Sequence, residues 1–188
     1  MAKVIKKKRK GLRKKFFEVK IPLIATKVNL YNYSPEDLNG SFVKIDLTKK
    51  LRGKGLELKS KINLIKGELL GEPIQIRLFP TYIRKMLRKG SDYVEDSFEI
   101  DCKDYKIRVK PFMITRKRIH RSTKKAIREL ARKHLESKMK IRDVEEIFSE
   151  IISNKIQKEL SFKVKKIYPL SFCEIRMINI IEKLKTSK

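Results

Sequence analysis

The chain has no tryptophan and, in 188 residues, only two histidines, two cysteines, six prolines and seven glycines. With Cys102 and Cys173 far apart and no CxxC pair, a cysteine-based zinc site is excluded. The two thiols can be joined in one disulfide or stay reduced inside a cell, and the low cysteine content favours the second. His120 and His134 lie fourteen residues apart with no cysteine or glutamate at ligand spacing, so no metal ligand set is expected. P-loop, GxGxxG and GxSxG motifs are all missing. No apolar run approaches the ~20 residues of a membrane span. The basic run Lys6–Lys10 is not followed by the apolar stretch of a signal peptide. A soluble cytoplasmic protein without cofactor, metal or small-molecule substrate is the expectation.

Acidic residues are the other shortage. Against 22 Asp and Glu stand 49 Lys and Arg, a net charge of +27. Such a chain repels itself, and a polyanion that neutralises it makes the compact state easier to hold. Nucleic acid, an anionic membrane surface and acidic protein are the candidates. At 40% hydrophobic residues, the chain can also build a core.

The positive charge is concentrated. Through Lys20, ten Lys or Arg meet one acid, Glu18, and residues 1–15 read as a basic arm, disordered until a counter-charge extends along it. Its candidate RNA-binding residues are Lys6, Lys7, Lys8, Arg9, Lys10, Arg13, Lys14 and Lys15. The second cluster spans 116–125, six positive residues and no acid, between a strand end and a helix start. Arg116, Lys117, Arg118, Arg121, Lys124 and Lys125 suit phosphates, His120 lies among them, and Ser122 adjoins the free N–H groups of a helix start. Aromatic residues are sparse. Phe16 and Phe17 follow the arm, and Tyr31 and Tyr33 flank Asn32. They can stack on unpaired bases or pack in the core.

Periodicity predicts one globular α+β domain over 16–182, with a short basic tail at 183–188. Strands are expected where Phe17, Val19 and Ile21 alternate, at 42–47, 56–64 and 74–78, in a hairpin over 92–114, and at 172–181. Helices are expected from Pro80, stopped near Gly90, and at 122–139, from Asp143 with Glu146 completing a capping box, and at 154–167 before Pro169. The architecture is a curved antiparallel sheet or partial barrel packed with helices. One stretch offers an alternative chemistry. Asp92, Glu95, Asp96, Glu99, Asp101 and Asp104 could hold magnesium for RNA cleavage, or meet basic neighbours as a solvated strand face.

Several segments in order resemble a known family. They are Lys14–Pro22, Pro35–Gly40 with Val43–Leu47, Lys106–Pro111, Arg116–Ser122 with Lys125–Arg128, and Lys165–Leu170 followed by Glu174–Arg176. The chain is similar over about 14–182 to the archaeal and eukaryotic small-subunit ribosomal protein family S-one-e (S-three-A-e). Phe16 stands where the family commonly has tryptophan. The resemblance implies a structural, non-enzymatic protein that binds small-subunit ribosomal RNA at the platform, with neighbouring ribosomal proteins beside it and messenger RNA nearby.

Overall fold

The structure is a computed structural model and describes residues 13–65 and 67–184. Among the described residues nine strands and four α-helices follow in the order β1 (Lys15–Ile21), β2 (Thr26–Asn32), β3 (Phe42–Asp46), β4 (Leu56–Ile65), β5 (Glu68–Leu78), α1 (Pro80–Met86), β6 (Tyr93–Glu95), β7 (Phe98–Asp101), β8 (Tyr105–Thr115), α2 (Arg121–Met139), α3 (Val144–Ile152), α4 (Lys155–Val164) and β9 (Leu170–Lys183). The α+β class read from the sequence holds. The arm residues Lys6, Lys7, Lys8, Arg9 and Lys10 lie outside the described residues.

The described residues divide into two compact units, one within 1–43 and 61–72, the other within 44–60 and 73–188. In the first, β1 and β2 form an antiparallel hairpin in register from Lys15 opposite Asn32 to Ile21 opposite Thr26. A single 3-10 turn joins them, opened by Pro22 and closed by Ala25 in the left-handed region. Val19 and Ile21 point inward and are buried, while Phe16, Glu18 and Lys20 point outward. Val19 and Lys20 pair in parallel with Leu69 and Leu70 of β5. The sheet is therefore mixed rather than wholly antiparallel. Parallel neighbours need a long connection, and β2, β3 and β4 supply it. Gly67, at φ +83°, turns the chain from β4 into β5.

In the second unit, β8 is the central strand. It pairs antiparallel with β9 on one side, and with β6 and β7 on the other. β9 also pairs antiparallel with β5. The ladder is open rather than a closed barrel. Pro111 to Thr115 is buried without interruption, as expected for a strand covered on both faces. A proline has no N–H to give a ladder, and Pro111 sits where the β8–β9 register shifts. The helices pack by their apolar stripes, with Ile127, Ala131, Leu135 and Met139 of α2, Phe148 and Ile151 of α3, and Ile156 and Leu160 of α4 all buried.

Three local expectations are corrected. Helix α1 ends at Met86, with Leu87 already extended, rather than near Gly90. Helix α4 stops at Val164 and leaves Ile167 exposed in the turn that follows. The Asp143–Glu146 capping box does not form. Asp143 makes no side-chain cap bond and instead faces Lys103 at 3.4 Å, a cation that competes for the same carboxylate.

Candidate nucleic-acid interface

The strand-to-helix joint after β8 exposes the second basic cluster. Arg116, Lys117, Arg118, His120, Arg121, Ser122 and Lys125 are exposed and Lys124 is half-buried. His120 is the N-cap of α2 in extended conformation and makes no side-chain cap bond. The first N–H groups of α2 thus lack a side-chain acceptor from the cap position. That end carries a partial positive charge, which the neighbouring arginines reinforce.

What shapes this loop is an acid from the stretch that suggested magnesium. Asp92 pairs its backbone with Thr115, whose N–H reaches the Asp92 carbonyl at 2.8 Å. The Asp92 carboxylate accepts the Ile119 N–H at 3.0 Å and meets the Lys124 ammonium at 3.1 Å. The Thr115 hydroxyl lies 2.7 Å from the Lys117 carbonyl. Residues 115–119 are thereby folded back onto the start of β6. The Ile119 N–H first, then Lys124, hold the Asp92 carboxyl below its ordinary pKa. Lys124 is engaged by Asp92, and Lys125 lies 3.9 Å from Glu129 one turn along the helix. Among the described residues no ion pair occupies Arg116, Lys117 or Arg121, so two unmatched cations project from the pinned loop and a third from the start of α2.

Three other acids of 92–104 also meet cations. Glu99 bridges Arg108 at 2.6 Å and Lys106 at 3.1 Å, and these two, in that order, lower its pKa. Glu95 holds Arg176 at 2.7 Å, and Asp96 faces Arg132 at 3.6 Å. No group of three or more His, Cys, Asp or Glu among the described residues could hold a metal ion. The cross-strand carboxylates are matched to the bases of β8, β9 and α2.

Arg13, Lys14 and Lys15 belong to the first unit, at the start of the β1–β2 hairpin, and all are exposed. The Lys14 ammonium lies 5.5 Å from the Tyr31 ring centroid and 5.3 Å from that of Tyr33. Phe17 is half-buried, whereas Phe16 is 72% exposed. Alternation along β1 carried the signal that separates the two phenylalanines.

Two interior features lie away from the basic clusters. His134 is buried between α2 and α4, with Nδ1 3.0 Å from the Lys163 ammonium. Burial, then the charges of Lys163 and Lys138, lower its pKa. Lys54, flanked by glycines like a turn residue, is 8% exposed and binds Glu174 at 2.6 Å. Both cysteines are free. Burial pushes the Cys102 thiol up to about 11 and the Cys173 thiol up to about 12. No helix among the described residues is long and apolar enough to cross a membrane.

Comparison with known proteins agrees with the residue pattern. The model of the Ribosomal S3Ae family matches residues 2–184. The small ribosomal subunit protein eS1 of Nanoarchaeum equitans is 32% identical over 174 residues, 87% of this chain and 87% of that protein. The protein of the same name from Methanothermobacter thermautotrophicus is 31% identical over 139 residues, 73% of this chain and 71% of its own length. The match spans both compact units and both basic clusters, and the chain belongs to the Ribosomal S3Ae family.

Proposed function

We propose that this protein is a structural constituent of the small ribosomal subunit that grips small-subunit ribosomal RNA by its phosphates. Its relatives are named as small-subunit ribosomal proteins. The observation that carries the RNA reading is the joint at 116–125, where Asp92 pins a loop against the start of α2, and Arg116 and Lys117 of the loop and Arg121 of the helix have no ion-pair partner among the described residues. Fixed cations beside a helix N-terminus match a phosphate backbone and carry no sequence information of their own. The arm, with Lys6–Lys10 and Arg13–Lys15, adds a second grip. The site is the platform near the messenger exit, in the cytoplasm, with other ribosomal proteins as neighbours and without catalysis.

Sedimentation tests this. The protein should travel with small subunits and leave them at high salt, and protein–RNA crosslinks should fall near the 3′ end of the small-subunit RNA. Free protein at low salt contradicts the ribosomal role. Crosslinks elsewhere on the subunit contradict the platform.

A further inference from the structure

We propose that the outward face of the β1–β2 hairpin, at the end where the chain enters β1, is a stacking platform for unpaired RNA bases. The proposal rests on the RNA-binding reading above and extends it from phosphates to bases. Phe16 and Tyr31 are direct cross-strand partners with ring centroids 4.9 Å apart. They are 72% and 57% exposed, and Tyr33, just beyond β2, is 37% exposed. Single exposed apolar side chains are ordinary, but three grouped rings on one sheet face are not. The inner face of the same hairpin is anchored by Val19 and Ile21, which are buried, so the rings stand on a fixed base.

Charge selects the occupant. Farther along the outward face, Glu18 is bound to Lys27 at 2.7 Å and Lys20 to Glu68 at 3.0 Å. That part is neutralised internally. At the aromatic end, Arg13, Lys14 and Lys15 have no ion pair among the described residues, and Lys14 stands within cation–π range of both tyrosines. An apolar protein surface laid on these rings would desolvate the Lys14 ammonium without offering it an anion. A nucleotide brings a flat π-face for the rings and a phosphate for the lysine together. The base must be unpaired, because duplex bases already stack on their neighbours on both faces.

The absence of native tryptophan supplies the test. The variant F16W keeps an aromatic ring on the platform and makes its indole the sole one in the full chain. Single-stranded oligouridylate should quench that indole, and an abasic ribose-phosphate oligomer of equal length should not. F16A, with Y31A as a second variant, should weaken oligouridylate binding about five- to a hundredfold while leaving abasic binding unchanged. An unchanged far-UV spectrum and melting midpoint would show that F16A is folded. Equal quenching and equal affinity for the two oligomers would overturn the platform and leave the phosphate grip standing. Failure of both oligomers to bind the wild-type chain would remove the RNA reading beneath it. An indole perturbed by RNA-free ribosomal proteins but not by oligouridylate would overturn the platform in favour of a protein neighbour.

Discussion

Replacing Glu174 by alanine should strongly destabilise this protein. Lys54 and Glu174 meet at 2.6 Å with side chains 8% and 13% exposed. The Lys54 ammonium also donates to Asn154, and the Gln157 amide donates to Glu174 at 3.2 Å and to the Ile151 carbonyl at 2.9 Å. One cation thus ties the turn before β4 to β9 and to the start of α4. Without Glu174 the ammonium stays buried with a neutral amide as its remaining acceptor. Breaking a buried pair from one side costs about 3–5 kcal/mol. For a chain of this length that lowers the melting midpoint by roughly 6–20 °C. Thermal unfolding followed by circular dichroism reads it directly. The double replacement Lys54→Met with Glu174→Leu removes both charges and should return to wild-type stability or above, since desolvating the pair is itself costly. A loss below about 1 kcal/mol for Glu174→Ala, the range of an exposed pair, would show instead that water reaches the ammonium and that the pair is not a buried one.

Gly55 is a second sensitive point. A Cβ there would stand 3.0 Å from the Tyr82 Cβ and 3.2 Å from Phe79, so Gly55→Ala should lose about 1–3 kcal/mol by overpacking, measured by urea unfolding. His134 should give stability a pH dependence. Its folded pKa lies below 6.5, so as pH falls below about 6.5 the unfolded chain takes up the proton first. Stability should therefore fall over that window and flatten once the folded form is protonated. His134→Gln should remove this part of the slope, and an unchanged slope would contradict it. Asp92→Ala should lower the hydrogen-exchange protection factor of the Ile119 amide, as should acidification through the lowered Asp92 pKa. Persistent protection would mean that the loop is held by something else.

The elements legible in the sequence are those with dense apolar alternation. Val43, Ile45 and Leu47, or Phe98, Ile100 and Cys102, declare a strand face without help from the rest of the chain. β2 was not legible, because only Val28 and Leu30 alternate there against Lys27 and Asn29, and its stability comes from β1 beside it. The parallel β1–β5 pairing depends on residues some fifty positions apart and leaves no local trace. The basic joint at 116–125 was visible as composition. The role of Asp92 was not, since a carboxylate in an acidic run looks the same whether it meets magnesium or an amide twenty-seven residues away. Lys54 was hidden for a related reason. A lysine between two glycines reads as solvated until the strand and helix that enclose it are in place.

In the proposed function the cations of 116–125 hold RNA phosphates. Anisotropy across a salt series follows the affinity for small-subunit ribosomal RNA. Contact with about six phosphates gives a log–log slope near −5. The variant carrying Arg116→Ala, Lys117→Ala, Arg118→Ala and Arg121→Ala should have a slope shallower by about 3. Identical slopes for the two proteins would contradict the claim, and a slope near zero for the wild type would end it.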